Sequence, residues 1–344
     1  MRAAVFKEVG QPMSIESVDD PTPLNNEVVI QVKRCGICGT DLHSTDNHET
    51  ALPSGTILGH EYAGEVVGIG KDAKSSGLWH EGDRLVALPF GSCGKCEACH
   101  FGRPFECELK QIVGMDIGGG FAEYMRVDIN NAVKLPASIG WDEGALVEPL
   151  AVGLHAVRSC GQKLDGKKVL VVGAGPIGLA VTFWCKFFGA RNVVVSEVDQ
   201  FRLDSSLNFG ATELINAADE DVQQRFRTIT GEGPDIIFEC VGIPGMIGQC
   251  IDLARFGTEL VIVGFCMAQD AFIPAMAVIK EINMRFAIAY HKKDFEFIVD
   301  MMAGDRVDAS EMLSETVGFE NFAEMFESLR SPNKHCKVLL NPFA

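Results

Sequence analysis

Nowhere in the 344-residue chain do 18 apolar residues run together, so no membrane-spanning helix is expected. The residues after Met1 hold no apolar stretch of the kind a secretion signal needs, and the cytoplasm is the expected compartment. Basic residues are scarce: 30 Lys and Arg stand against 47 Asp and Glu, giving a net charge of −17. Such a chain repels nucleic acid and anionic lipid, so neither is an expected partner. The same field disfavours highly anionic substrates unless a local basic pocket overrides it. Internal repeats and low-complexity linkers are also lacking.

Glycine and cysteine are plentiful. The length exceeds what one core comfortably serves, so two domains are expected. The 12 cysteines need an explanation other than disulfides in a reducing compartment. Five are metal-ligand candidates, described below. Cys160, Cys185, Cys240, Cys250, Cys266 and Cys336 lie in apolar or helical stretches and read as buried packing residues.

Periodicity divides the chain. Arg2–Phe6, Glu27–Arg34, Ile57–Ile69, Asp83–Leu88, Phe121–Val127 and Ala132–Leu135 read as short strands among Gly and Pro punctuation. Around Asp142 helical content begins, but Pro149 disfavours the α region for the residue before it. Glu148 is therefore expected at a helix break, its carboxylate aimed away from regular structure. From Lys167 strands and helices alternate: strands Val169–Val172, Val193–Ser196, Ile236–Glu239 and Glu259–Val263, helices Pro176–Phe188, Phe201–Asn208 and Pro244–Ala254. Continuous apolar strands separated by helices predict a parallel sheet covered on both faces. Helices near Asp294–Met302 and Phe319–Leu329 and a strand at Lys337–Leu340 follow. The α/β domain thus reads as inserted within a mostly-β domain that supplies both termini.

Cys93, Cys96, Cys99 and Cys107 form the most specific metal signal. Closely spaced cysteines let one loop wrap a tetrahedral zinc with four thiolates, a closed and structural site. An iron–sulfur cluster is the competing occupant. A second constellation combines Cys38, His60 and a carboxylate, either the adjacent Glu61 or the distant Glu148. Three such ligands leave one zinc position open for water or substrate, as catalysis requires. Asp41 is a candidate acceptor for the ligand imidazole N–H, fixing its tautomer; its other reading is a turn or helix cap. Thr40 and His43 lie between the ligands and could move protons. Cys35 reads as packing.

Gly173-Ala-Gly175-Pro176-Ile177-Gly178 follows an apolar strand and opens a helix, the context a dinucleotide fingerprint demands. Gly173 allows the tight turn, Gly175 lets the backbone approach pyrophosphate, and Gly178 lets helix and strand pack closely. Glu197 ends the next strand, where an acidic residue binds the adenosine ribose hydroxyls and repels a 2′-phosphate, favouring NAD over NADP. Arg202 opposes that charge.

These motifs, with Gly59-His60-Glu61-Tyr-Ala-Gly64 and Gly82-Asp83-Arg84, resemble the zinc-dependent medium-chain dehydrogenase/reductase (alcohol dehydrogenase) family over essentially the whole chain. Glu148-Pro149-Leu-Ala-Val-Gly153 resembles the polyol, butanediol and threonine dehydrogenase branch. The resemblance implies a GroES-like mostly-β catalytic domain of residues 1–148 and 290–344, with a structural-zinc lobe at 91–108. It implies a Rossmann, doubly wound parallel-sheet NAD domain at 149–289. It also implies two zinc ions per subunit, one of them held by Cys38, His60 and Glu61 or Glu148, with the two glutamates able to exchange. Thr40 becomes the first proton acceptor and His43 its outlet toward solvent, by way of the nicotinamide ribose. Val241, Val263 and Phe265 fall in segments that hold the nicotinamide and its ribose. His48, Phe90, Met115 and Asp116 occupy loops that line the substrate in relatives, but they match no single subfamily.

The expected reaction is NAD-dependent oxidation of a secondary alcohol (a vicinal diol, polyol or sugar alcohol) to a ketone. A hydrophobic or cyclic secondary alcohol, L-threonine, and a non-enzymatic dinucleotide-binding zinc protein are the alternatives. A quinone or enoyl reductase would ordinarily lack the Cys38, His60 and Glu61 ligands. The family implies a homo-oligomer, a tetramer before a dimer.

Overall fold

The computed structural model describes residues 1–46, 52–331 and 333–344. They form two compact units: Met1–Glu148 with His291–Ala344, and Pro149–Tyr290.

The first unit is built on a seven-stranded sheet. Its central strand, Glu27–Gly36, is rich in valine and buries Val28, Ile30 and Val32, as β-branched residues do on a pleated, packed surface. It pairs antiparallel with Glu61–Ile69 and Tyr124–Asp128, and at its far end with Lys337–Leu340. Phe121, Phe322 and Phe326 close the core, the Phe121 and Phe322 rings meeting edge-on at 4.8 Å. Each fully buried ring contributes about 1.5–3 kcal/mol. Gly36 ends the central strand between two neighbours: Glu61 is its register partner on one side and Leu339 on the other. The chain then leaves the sheet and turns into the short helix Gly39–Ser44. The sheet thus delivers residues 35–38, 60–62 and 337–340 to one place.

The second unit holds a six-stranded, all-parallel sheet. Its strand order is Glu213–Asn216, Asn192–Glu197, Lys168–Val172, Ile236–Glu239, Glu259–Ile262, Asn283–Phe286. The order reverses between the third and fourth of these, which opens a crevice at their C-terminal ends. The helix Pro176–Phe187 packs on this sheet, and Trp184 donates its indole N–H to the Leu150 carbonyl at 2.9 Å.

Glu148 departs from expectation. One helix ends at Ala145 with Leu146 as its cap, and the next runs Val147–Ser159 without interruption at Pro149. Proline is tolerated in a first helical turn because the N–H it lacks would have no intrahelical partner there. Glu148 consequently belongs to the helix rather than to a gap, and its side chain is buried. Among the six cysteines read as packing residues, Cys185 and Cys250 are buried, whereas Cys160, Cys240, Cys266 and Cys336 are only half-buried. Among the described residues no helix is long and apolar enough to cross a membrane.

Candidate metal and coenzyme sites

Cys38, His60 and Glu61 come together where the strands converge, one ligand atom of each lying within 4.8 Å of the others. Cys38 caps the helix Gly39–Ser44, while His60 sits just before the strand Glu61–Ile69. Asp41 divides its two oxygens between them. Oδ2 accepts the Cys38 backbone N–H at 2.9 Å, and Oδ1 lies 3.3 Å from His60 Nδ1. Both readings of Asp41, helix-capping group and imidazole acceptor, describe one side chain. With Nδ1 turned to Asp41, the His60 Nε2 is the nitrogen left for a ligand. Burial works against the His60 imidazolium, but Asp41 and Cys38 outweigh it and raise its pKa well above the ordinary imidazole value.

Glu61 is fully buried. Its Oε1 pairs with the Lys337 ammonium, which also donates to the Ile37 carbonyl at 3.2 Å. Its Oε2 has no hydrogen-bond partner among the described residues. A buried carboxylate oxygen left unbonded is costly. The strand opposite makes room for this oxygen, since a Cβ added at Gly36 would come within 2.1 Å of Oε2. An orphaned oxygen beside a thiol and an imidazole fits a cation that is bound in use, and the three donor types are those zinc accepts. Burial alone would lower the Lys337 pKa, but Glu61, Cys38 and Glu148 together raise it above the usual lysine value. Glu148 is thus near enough to contribute its charge to the same cluster.

Thr40 and His43 stand three residues apart on the helix Gly39–Ser44 and therefore share a face. Thr40 is half-buried and His43 exposed, so exposure to water rises along the pair. Arg330 holds this helix from behind, donating to the Leu42 carbonyl at 2.7 Å and to Thr45 Oγ1 at 2.8 Å.

Cys93, Cys96, Cys99 and Cys107 also converge, their sulfurs all within 4.8 Å of one another. The Cys93–Cys99 and Cys96–Cys99 separations are 3.8 and 3.4 Å. A tetrahedral ion with bonds of about 2.3 Å to sulfur needs edges of about 3.8 Å, so the four thiols fit one zinc. Backbone N–H groups of Lys95 and Cys96 pull the Cys93 pKa down to about 6, readying it as a thiolate. Asp128 ties the loop to the sheet by accepting from the Ser92 backbone and hydroxyl at 3.2 and 3.1 Å.

In the second unit, Gly173 adopts φ +97°, and a Cβ there would strike Val241. A Cβ at Gly178 would lie 2.0 Å from the Gly173 carbonyl, whereas one at Gly175 would meet nothing within 4 Å. The fold itself leaves Gly175 open, which suits close approach by a pyrophosphate. Pro176 and Ile177 begin the helix after it. Glu197 ends its strand, accepting the Ala174 N–H at 2.8 Å and the Val198 and Asp199 N–H groups at 2.7 and 3.0 Å. Arg202 is half-buried in the following helix. Val241 and Phe265 are exposed and Val263 is half-buried, each just beyond a strand end. The sequence reading missed Glu239. Its buried carboxylate accepts the Val241 and Gly242 N–H groups at 2.7 and 2.8 Å and shapes this turn. Lys337 was missed too. Each is a charge closing or opening an apolar strand, the signal that could have found it.

His48 lies outside the described residues. Phe90 is buried edge-on against Phe105 at 5.5 Å. Met115 and Asp116 are exposed, and the Asp116 carboxylate accepts the Ile112 N–H at 2.7 Å within its own loop. The latter two are neighbours in one loop, and Phe90 joins them through strand pairing: it is the register partner of Ile112, whose carbonyl accepts the Met115 and Asp116 N–H groups at 3.2 and 2.8 Å.

The β unit, the parallel-sheet unit and the Cys–His–Glu cluster define a zinc- and nicotinamide-linked alcohol oxidoreductase. The profile of the alcohol dehydrogenase GroES-like domain matches residues 24–137, and that of the zinc-binding dehydrogenases matches residues 176–304. An L-threonine 3-dehydrogenase of Shewanella frigidimarina is 31% identical, covering 94% of this chain and 95% of its own. A sorbitol dehydrogenase of Bacillus subtilis is 30% identical, covering 99% and 97%. The crystal structure of 2R,3R-butanediol dehydrogenase from Bacillus subtilis superposes with a TM-score of 0.88 at 31% identity, covering 99% of each chain. The chain belongs to the zinc-dependent medium-chain alcohol dehydrogenase family, with its GroES-like and Rossmann architecture.

Proposed function

We propose that this enzyme oxidises a secondary alcohol of the vicinal diol, polyol or sugar-alcohol class to a ketone, with NAD as coenzyme. Zinc bound by Cys38, His60 and a glutamate would acidify the substrate hydroxyl as a Lewis acid, and NAD would accept the hydride. Asp41 orients the His60 imidazole for this task. Thr40 accepts the hydroxyl proton and passes it to His43, which exchanges with water. Glu61 and Glu148 would supply alternative carboxylates to that metal. The convergence of the Cys38, His60 and Glu61 ligand atoms within 4.8 Å carries this reading.

Glu197, followed by Val198 and Asp199 rather than a basic residue, supports NAD over NADP. The sulfur spacing in the four-cysteine lobe supports a second, structural zinc. We further propose a homo-oligomer, a tetramer before a dimer. Val278 and Ile279 on the helix Pro274–Ile279, and Phe286 and Ile288 at and after the end of the strand Asn283–Phe286, expose apolar side chains, and among the described residues that strand ends its sheet unpaired on one side. Such edges are ordinarily covered. The test is a screen of NAD and NADP reduction against polyols, butanediols, threonine and cyclic alcohols, with and without a chelator. Chelator-sensitive NADH formation with a diol or polyol is expected. Activity untouched by metal removal, or none with any alcohol, would overturn the reading.

A further inference from the structure

We propose that Lys337 is a positioning residue that keeps Glu61 a loosely held, exchangeable metal ligand. The inference rests on the metal-site reading above and adds to it a cation that the protein itself builds in. Lys337 opens the strand Lys337–Leu340, is only 3% exposed, and sits on the strand that flanks the central strand opposite the one bearing Glu61. Its ammonium holds Oε1 of Glu61 and is fixed in turn by the Ile37 carbonyl. Glu61 therefore offers a metal one oxygen, Oε2, which is the orphaned one. That oxygen lies over Gly36, where a Cβ would come within 2.1 Å of it, so the glycine keeps its space open.

Two consequences follow from the charge. A divalent ion at the cluster faces a fixed positive charge one carboxylate away, and their repulsion weakens its hold. The carboxylate itself shares its negative charge between ion and ammonium, so it is a poorer donor than an unpaired glutamate. Both effects favour release of Glu61 when another oxygen ligand, such as Glu148 or a substrate hydroxyl, arrives. A lysine with only a structural role would act in the opposite sense, because removing it would disorder Glu61 and loosen the metal.

The experiment follows zinc release from the holoenzyme into an excess of chromogenic chelator, by stopped flow. The release phase lost in Cys38→Ala belongs to this site, and the phase lost in Cys99→Ser belongs to the four-cysteine lobe. In Lys337→Met the first phase should slow by about tenfold or more, within the 10–100-fold range of changes beside a metal ligand, while the second stays unchanged. In Lys337→Arg it should quicken, because the planar fork grips both carboxylate oxygens and withdraws Oε2. If the methionine variant fails to fold, the arginine variant carries the test alone. A first phase that is unchanged or faster in Lys337→Met, or unchanged or slower in Lys337→Arg, overturns the role of Lys337. If Cys38→Ala loses no phase at all, the metal-site reading itself falls, and the role of Lys337 with it.

Discussion

Asp41 Oδ1 lies 3.3 Å from His60 Nδ1, and the Asp41 side chain is 2% exposed. A buried carboxylate against one imidazole nitrogen determines which nitrogen is left to bind. Asp41→Asn keeps the shape and loses the charge. Zinc affinity at this site and turnover should each fall about 10–100-fold, with only a small change in melting temperature. Metal content after dialysis against a weak chelator, alongside kcat, checks it. Full zinc retention with unaltered kcat would remove Asp41 from the site.

Thr40 is tested through its hydroxyl. Thr40→Ala should lower kcat by about 10²-fold or more, the scale of general acid–base assistance. NAD affinity, read by fluorescence titration, should stay as in the wild type. Thr40→Ser should restore most of the rate. An alanine variant with wild-type turnover refutes the relay to His43.

The two zinc sites should separate by stability. Loss of one thiolate in Cys99→Ser should release one zinc equivalent and lower the melting temperature by about 10 °C or more, because structural metal binding is folding free energy. Cys38→Ala should abolish activity while the melting temperature moves by only a few degrees. Calorimetry with elemental analysis distinguishes the two, and equal destabilisation by both variants would contradict the division of roles.

Coenzyme choice is proposed to rest on Glu197. Glu197→Ser removes the charge that would meet a 2′-phosphate, and the NADP-to-NAD ratio of kcat/KM should rise at least about tenfold. An unchanged ratio would move the determinant elsewhere, Arg202 being the nearest basic residue in sequence.

Asp235 gives a pH signature. Burial works against its charge, but the Lys168 backbone N–H at 2.8 Å and the Arg255 guanidinium win, so its pKa falls below the ordinary aspartate value. A depressed carboxylate pKa stabilises the fold above the unfolded value of about 3.9, and the contribution fades as pH falls through the folded one. The melting temperatures of wild type and Asp235→Asn should therefore differ at pH 7 and converge as pH falls through the lowered folded value. A gap that persists in acid would mean Asp235 acts by packing.

Much of this is legible in the sequence. The apolar strands Val169–Val172 and Ile236–Glu239 stand in the sheet close to where the pattern put them, at Lys168–Val172 and Ile236–Glu239. The strands Glu213–Asn216 and Asn283–Phe286 did not announce themselves. Each is four residues long, polar at its start, and lies at an edge of the sheet, where alternation is too brief to be read. Cys38, His60 and Glu61 could be grouped because they are close in sequence. Lys337 could not, since its pairing with Glu61 spans 276 positions and only the sheet register brings the two together. Glu148 misled because a proline in a first helical turn looks, in sequence, like a proline that ends a helix.

That separation sets an order of assembly. During synthesis, thiol, imidazole and carboxylate are all made long before the strand bearing the ammonium exists. A metal captured by the growing chain would meet an untempered carboxylate, and would be held more tightly than the finished enzyme holds it. The last strand to join the sheet would then turn a trap into a working centre. Maturation would thus be a loosening, timed by how far the ribosome has travelled.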